Sequence, residues 1–122
     1  YQPELDKDRF DDLYALARRP FLIGEFSAGA RDRGMLGVAF VVGDSQEERG
    51  ALYKQYVTSA LRLPYFVGCH WFEYLDEAFL GRHDGHESFN TGFVDVCDNL
   101  YPELAEAAHD RNWSLYETLL GE

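Results

Sequence analysis

The chain has 122 residues, of which 46% are hydrophobic and 16% aromatic, so it can bury one globular core and is not a disordered, fibrous or disulfide-rich sequence. Its 22 acidic and 11 basic residues give a net charge of −11, which would repel nucleic-acid phosphates and an anionic membrane surface. We therefore expect no nucleic-acid partner and no membrane partner, and a neutral substrate fits this charge better.

The polar N-terminal residues and the cysteines narrow the class further. Residues 1–4 include no initiator Met and do not form a signal peptide, so we interpret the chain as a piece of a longer protein. No apolar run approaches the roughly 20 residues that span a bilayer. Cys69 and Cys97 make neither a disulfide framework nor a zinc motif. Cys69 is predicted to be a buried strand residue, and a bridge to Cys97 is an unsupported alternative.

A helix and a strand are predicted at the beginning of the chain. Apolar residues recur at helical spacing over residues 4–18, and the following proline ends this helix. Residues 21–26, Phe-Leu-Ile-Gly-Glu-Phe, are typical of a strand that is buried on both faces in a parallel sheet. A strand period of two places Phe21, Ile23 and Glu25 on one face.

A long loop and a second helix follow. Residues 27–44 contain several glycines and little periodicity, which predicts a loop directly after the strand. Ser45 and Glu48 have the spacing of a capping box, and the helix that begins there is predicted to run to about Arg62. Its predicted buried side consists of Leu52, Tyr53, Tyr56, Val57, Ala60 and Leu61.

The second predicted strand, residues 65–72, has the same apolar character as the first. Trp71 lies on one face of it, and Glu73 extends that face into the next loop. Residues 75–100 are predicted to form a second long loop, with a small hairpin around residues 90–96.

The order of the elements predicts the fold class. A last helix begins at Pro102, with Leu104, Ala108, Leu115 and Leu119 on its apolar side. Alternating helices and strands, with a long loop after each strand, indicate an α/β fold built from βα units around a parallel sheet. In a (β/α)8 TIM barrel such loops form the active site, but a whole barrel needs ~250 residues. We therefore expect residues 1–122 to be a C-terminal part of one catalytic barrel, its last two βα units and a preceding helix.

Glu25 is the foremost candidate for chemistry. A carboxylate at the end of an apolar strand is costly unless it is paired, hydrogen-bonded or used in a reaction. From its position alone two interpretations stay open. One is a structural ion pair with Arg31 or Arg33, and the other is a functional carboxylate.

Trp71 and its neighbours are weaker candidates. A Trp at the mouth of a barrel can stack on the apolar face of a sugar ring, but a strand Trp is more often part of the core. His70 has the opposite parity to Trp71, and a satisfied buried His is its default interpretation. Residues 81–87 most simply form a solvated loop, and the weaker alternative is a metal site made of His83, Asp84 and His86.

Four sequence blocks carry a resemblance to a known family. They are RPFLIGEFSAGARDRG at 19–34, QEERGALYKQYV at 46–57, VGCHWFEYLDEAFLGRHDG at 67–85 and NTGFVDVCDNLYPEL at 90–104. In this order and spacing they resemble the C-terminal segment of the agarase-like glycoside hydrolases of family 50, which belong to the retaining clan A.

The resemblance implies retaining hydrolysis of a β-linked polysaccharide or oligosaccharide, with an agarose-type galactan as the expected substrate. It implies that Glu25 is the nucleophile at the end of the seventh barrel strand. The acid/base Glu would lie on the fourth strand, in the N-terminal remainder of the barrel, so residues 1–122 alone would be inactive. No cofactor and no metal are implied, and the parent would be secreted or periplasmic. The residues expected to contact the carbohydrate are Arg31, His70, Trp71, Glu73, Tyr74, Arg82, Asp84 and Asn90.

Two positions depart from the family pattern and keep other functions open. The family usually shows Gln where this chain has Glu73, and often His where it has Ser27. A second carboxylate near Glu25 would raise the pKa of one of the two groups unless Arg31 or Arg82 compensates. The alternatives are a carbohydrate-binding pseudoenzyme, another clan A activity such as β-galactosidase or β-mannanase, and an inert fragment.

Overall fold

The computed structural model describes residues 1–38, 41–83, 85 and 87–121. Its helices and strands are, in chain order, α1 (Lys7–Ala17), β1 (Phe21–Phe26), β2 (Gly29–Ala30), β3 (Val42–Gly43), α2 (Gln46–Leu61), β4 (Phe66–Trp71), α3 (Pro102–Trp113) and α4 (Leu115–Leu120). This order confirms the predicted alternation of helices and strands in an α/β fold. In the described part of the chain, no helix combines the length and apolar character needed to cross a membrane.

Strands β1 and β4 lie side by side and run parallel, as the βα alternation predicts. Ile23 pairs with Cys69 and Phe26 pairs with Trp71, so three steps along β1 match two steps along β4. Ile23 and Phe26 therefore both pack into the core, while Glu25 is exposed. The prediction that Ile23 and Glu25 share a face is wrong, because this irregularity interrupts the period of two.

The apolar core lies where β1, β4, α2 and α3 meet. Phe26 stacks on Tyr56 with ring centroids 4.4 Å apart, and it meets Trp71 edge to face at 5.1 Å. Aromatic pairs of this kind add about 0.5–1.5 kcal/mol beyond the burial of their area. The buried members of the core are Phe26, Tyr53, Tyr56, Val57, Tyr101, Leu104 and Ala108. Helix α2 packs against both β4 and α3, so it connects the sheet to α3.

Helix α2 begins where its capping residues predict. The Ser45 hydroxyl accepts a 3.3 Å hydrogen bond from the N–H of Glu48. The Glu48 carboxylate accepts a 2.7 Å bond from the N–H of Asp44, so the reciprocal bond of the capping box is displaced by one residue from Ser45. The predicted buried side of this helix is confirmed, since every member is buried or partly buried.

The first and last helices are shorter than predicted. α1 begins at Lys7 because Asp6 is its N-cap and accepts a 3.2 Å hydrogen bond from the N–H of Arg9. Pro102 opens α3 as predicted, but that helix ends at Trp113 and α4 follows as a separate short helix. At the junction the Ser114 hydroxyl donates a 2.8 Å hydrogen bond to the carbonyl of Asp110, a local bond that competes with helix continuation.

The two main strands are less buried than predicted. Leu22 is 51% exposed and Val67 is 64% exposed, so the prediction that both faces of each strand are buried is wrong for this chain. Cys69 is partly buried, as a strand residue with a small apolar side chain should be, and Cys97 is exposed. Both cysteines are free thiols, which contradicts the alternative of a bridge between them.

Both long loops contain more structure than predicted. Within residues 27–44, the strands β2 and β3 form a short parallel pair. Within residues 75–100, the predicted hairpin around 90–96 does not form. Val94 instead makes isolated bridges with Leu75 and Leu100. The Asp95 carboxylate closes the turn that follows by accepting hydrogen bonds of 2.8 and 2.9 Å from the N–H groups of Cys97 and Asn99.

Candidate active site

The carboxyl ends of β1 and β4 bring Glu25 and Glu73 to the same edge of the sheet. The N–H of Phe72 donates a 2.8 Å hydrogen bond to the carbonyl of Phe26, and each of these residues is the chain neighbour of one of the glutamates. The peptide bond between Phe72 and Glu73 is cis. Glu25 is exposed and Glu73 is partly buried, and the charge of Glu25 acts on the Glu73 carboxyl. The structure therefore brings together two of the carboxylates singled out in the sequence.

Burial is the main cause that raises the pKa of the Glu73 carboxyl above its ordinary value of 4.5. The negative charges of Glu77, Asp76 and Glu25 raise this pKa further, whereas the Arg82 guanidinium lowers it. This direction agrees with the expectation for two neighbouring carboxylates, although desolvation contributes more than the repulsion between the two glutamates.

The predicted ion pair of Glu25 with Arg31 or Arg33 does not form. Arg31 lies 3.9 Å from the Asp44 carboxylate, and Arg33 pairs with Glu103, so neither arginine pairs with Glu25. Glu25 is one of the residues that line an open cleft of about 480 Å³, and no other predicted contact residue among the described ones lines it. Other residues that line this cleft are Tyr1, Glu4, Arg9, Phe10, Phe26 and Tyr56.

Trp71 is a partly buried member of the core. Its indole N–H donates a 2.9 Å hydrogen bond to the carbonyl of Thr91, and its ring packs edge to face on Phe26 and at 5.8 Å from Phe93. The Arg49 guanidinium lies 5.6 Å from the ring centroid. These contacts bear out the interpretation of Trp71 as a core residue, and a sugar-stacking role for it stays a prediction.

Three other predicted contact residues are exposed. His70 is exposed, which contradicts its default interpretation as a buried histidine. Tyr74 is 72% exposed, while its carbonyl accepts hydrogen bonds from the N–H groups of Phe93 and Val94 at 2.8 and 3.1 Å. Arg31 is also exposed. The side chains of His70, Tyr74 and Arg31 are therefore accessible to a ligand.

Arg82 follows β4 in the chain and lies in an acidic environment. Its guanidinium pairs with Glu87 at 2.7 Å, lies 3.6 Å from the buried carboxylate of Glu77, and stacks 5.5 Å from the Phe72 ring. Its positive charge also lowers the pKa of the Glu73 carboxyl. The structure thus brings Arg82 and Glu73 together, but the pKa of Glu73 is still raised, so Arg82 only partly compensates.

Asn90 does not fit its predicted role as a ligand for sugar hydroxyl groups, because it has no exposed surface. Its Oδ1 accepts hydrogen bonds from the N–H of Ala30 at 3.1 Å and from Nε2 of Gln46 at 3.0 Å. Its Nδ2 donates to both carboxylate oxygens of Asp76 at 3.1 Å. With both ends of its amide bonded inside the protein, Asn90 holds the loops together. Asp84, another predicted contact residue, lies outside the described residues.

The sequence analysis missed a buried polar network next to Asn90. The Arg49 guanidinium donates to the carbonyls of Ala28 and Gly92 at 2.7 and 2.8 Å. The Asp76 carboxylate accepts from the N–H of Gly92 and the hydroxyl of Tyr101, both at 2.7 Å. A signal for part of this network was present, because residues 46, 49 and 50 continue the helical spacing of Tyr53, Val57 and Ala60 toward the start of α2.

The predicted alternative of a metal site concerns His83, Asp84 and His86. Among the residues that the structure describes, no group of three His, Cys, Asp or Glu side chains is placed to hold a metal ion. Of the three residues considered in the sequence, Asp84 and His86 lie outside that part of the chain.

The chain is similar to β-agarases in sequence and in structure. It is 41% identical over 98 residues to Beta-agarase B of Vibrio sp. (strain JT0107), a match that covers 80% of this chain. Superposed on the solved structure of an exo-β-agarase it has a TM-score of 0.92 at 41% identity, and 100% of the chain is covered. On the structure of PfGH50B the TM-score is 0.90 at 37% identity, over 96% of the chain. The chain belongs to the agarase-like glycoside hydrolases of family 50. No family model matches it.

This family 50 chain spans a small part of the proteins it matches. It covers 10% of the length of Beta-agarase B and 16% of the exo-β-agarase and PfGH50B chains. Within that share, the resemblance that the four sequence blocks predicted is confirmed.

Proposed function

We propose that residues 1–122 form the last two βα units, with a preceding helix, of a (β/α)8 barrel that hydrolyses β-linked galactan of the agarose type with retention of configuration. The parallel pairing of β1 and β4 and the similarity to β-agarases support this proposal. The exposure of Leu22 and Val67 supports it too, because further strands and helices of a barrel would cover these side chains.

Glu25 is the nucleophile in this proposal. The observation that carries the assignment is an accessible carboxylate at the carboxyl end of a strand, without an ion pair to Arg31 or Arg33. In a retaining mechanism it attacks the anomeric carbon while a second carboxylic acid, roughly 5–5.5 Å away, protonates the departing glycosidic oxygen. The carboxylate left by that proton transfer then removes a proton from water, which attacks the glycosyl-enzyme and releases the Glu25 carboxylate. The second carboxylic acid belongs to an earlier strand of the parent barrel.

The remaining surface at this sheet edge would bind the carbohydrate. His70, Tyr74 and Arg31 offer exposed groups that donate or accept hydrogen bonds, and Glu73 lies at the same sheet edge as Glu25, with Arg82 close enough to lower the pKa of Glu73. The accessible part of the Trp71 indole would contact the sugar. Hydrolysis of this kind needs no cofactor.

The nucleophile assignment is tested in the full-length protein that carries this chain. Glu25→Gln should abolish release of reducing sugar from agarose, because the amide cannot form the glycosyl-enzyme. Glu25→Gly with added azide should recover turnover and give a glycosyl azide of inverted configuration, since azide takes the place of the nucleophile. Glu117→Gln, an exposed carboxylate on α4, is the control and should keep wild-type turnover. Wild-type hydrolysis by Glu25→Gln would exclude this role.

A carbohydrate-binding pseudoenzyme is the second candidate, and Glu73 and Ser27 are the observations that favour it. Glu73 places a negative charge at the same sheet edge as Glu25, and the buried Ser27 hydroxyl has no hydrogen-bond partner among the described residues. Binding of the protein to agarose without release of reducing sugar would support this function. Comparison of sugar release from agarose, galactan and mannan separates an agarase from a β-galactosidase or a β-mannanase.

A further inference from the structure

Arg49 is a fully buried cation that joins the two loops of the site. Its Nε donates a 2.7 Å hydrogen bond to the carbonyl of Ala28, two residues beyond the end of β1. Its Nη2 donates a 2.8 Å hydrogen bond to the carbonyl of Gly92, in the loop after β4. Because a guanidinium is rigid and planar, making both bonds fixes the distance between these two carbonyls.

The loop that Arg49 holds also holds the strand end that carries Glu73. The carbonyl of Thr91, the residue before Gly92, accepts a 2.9 Å hydrogen bond from the Trp71 indole. The same carbonyl accepts a 3.3 Å hydrogen bond from the N–H of Glu73. A displacement of this loop would therefore be passed directly to Glu73.

Arg49 is itself held in one orientation. Its guanidinium lies between the aromatic rings of Trp71 and Tyr101, at 5.6 and 5.3 Å from their centroids. The Gln46 Oε1 accepts a 3.2 Å hydrogen bond from Nη1. Burial lowers the pKa of Arg49 to about 10 and the charge of Asp76 opposes this shift, so the side chain is still a cation at neutral pH.

We propose that Arg49 is a positioning residue that sets the spacing of Glu25 and Glu73 by holding the carbonyls of Ala28 and Gly92 together. The inference rests on the proposed role of Glu25, three residues before Ala28. Without the guanidinium both buried carbonyls lose their donor, and the two loops are free to move apart. A displacement of about 1 Å at a catalytic group costs on the order of 10²-fold in rate.

Arg49→Lys in the full-length protein is the first test. Lys keeps the charge, but its compact ammonium does not reproduce the rigid fork that spans the two carbonyls. We expect kcat on agarose to fall about 10²-fold with little change in KM. The matched control is Val57→Ala, which opens a cavity on the same helix and removes none of the hydrogen bonds that hold the two loops, and its kcat per folded molecule should stay at the wild-type value.

Titration of the Glu73 carboxyl, followed by NMR of protein labelled with 13C-glutamate, is a readout independent of turnover. The charged groups acting on Glu73 are Glu25, Asp76, Glu77 and Arg82. If Arg49 sets the spacing, Arg49→Lys shifts the Glu73 midpoint and Val57→Ala does not.

The outcomes separate this inference from the proposed function. A wild-type protein that does not hydrolyse agarose, but whose Glu73 midpoint shifts in Arg49→Lys, would refute the proposed function and keep the positioning role. An unchanged Glu73 midpoint, with kcat lost only in proportion to the unfolded fraction, would overturn the positioning role. Should Arg49→Lys not fold, Gln46→Met keeps the guanidinium but removes its anchor at Nη1, together with the bonds that the Gln46 amide donates to the Arg33 carbonyl and to Asn90. It should then give a smaller loss of kcat with a midpoint shift in the same direction.

Discussion

The hydroxyl of Tyr101 donates a 2.7 Å hydrogen bond to the carboxylate of Asp76, and this bond connects the start of α3 to the loop after β4. Asp76 is 2% exposed and also accepts hydrogen bonds from the N–H of Gly92 and from the Asn90 amide. A buried carboxylate is stable only when its oxygens are satisfied in this way. Asp76 therefore depends on these neighbours for the hydrogen bonds that replace water, and their donor groups depend on the Asp76 carboxylate as their acceptor.

Asp76→Asn should destabilise the protein by about 3 kcal/mol. The amide keeps the size of the side chain but has an NH2 group with two donors in place of one of the two acceptor oxygens, so at least one surrounding donor is left without an acceptor inside the protein. Urea unfolding measures the change. Asp110→Asn is the control, because Asp110 is exposed in its ion pair with Lys54, and we expect little effect there. Equal stabilities of the two variants would contradict the role given to Asp76.

Glu73→Gln should stabilise the folded protein at neutral pH. The pKa of Glu73 is raised in the folded state, chiefly by burial, so the folded protein binds this proton more tightly than the unfolded chain does. Wild-type stability from this group is therefore fully present below the ordinary pKa of 4.5 and is lost as the pH rises through the raised value. Gln carries no charge, so the stabilisation by Glu73→Gln should appear above the raised pKa of Glu73 and disappear below pH 4.5.

Thermal melts of wild type and Glu73→Gln across this pH range measure the difference. Glu106 is an exposed carboxylate on α3, and Glu106→Gln serves as the comparison. We expect it to give no stabilisation that appears only at neutral pH. A gain of the same size at acidic and neutral pH would mean that the effect comes from packing and not from the charge of Glu73.

Much of the fold was predictable because the signals are local. The first strand was predicted at residues 21–26 and is observed there, since a proline precedes it and a glycine-containing loop follows it. The helix after Ser45 was predicted from its cap and its apolar spacing. The face of Glu25 was predicted wrongly because the register shift in β1 depends on its pairing with β4, and a single strand does not reveal it.

The candidate site was predictable only at its surface. Glu25 and Glu73 stand out because a carboxylate at a strand end is unusual. Asn90 looked like a ligand for sugar because an Asn in a loop gives no sign that another loop will bury it. Arg49 was missed because an Arg in a helix is expected to be solvated, and only its donors to Ala28 and Gly92 explain why it is not. These contacts are between residues far apart in the chain.

Gly34→Ala should destabilise the protein by about 2 kcal/mol or more. Gly34 has a φ of +96°, a backbone conformation that a residue with a Cβ adopts only at a cost. A Cβ there would also collide with the Tyr101 hydroxyl and would lie 2.6 Å from Nδ2 of Asn90. Gly85→Ala is the matched control, because its Cβ would have only ordinary contact with Glu87 at 3.4 Å. Similar denaturation midpoints for the two variants would show that the loop adapts around residue 34.

The two free cysteines should differ strongly in reactivity. Burial raises the pKa of the Cys69 thiol to about 11, so it holds very little thiolate at mildly alkaline pH, whereas Cys97 is exposed. Without reductant, we expect iodoacetamide to modify Cys97 in the folded protein and to leave Cys69 largely unmodified, as read by peptide mass mapping. In urea both should react at similar rates, because unfolding removes the burial that distinguishes them. Rapid labelling of Cys69 in the folded state would show that its position on β4 is accessible, and failure of both to react in urea would reveal a bridge.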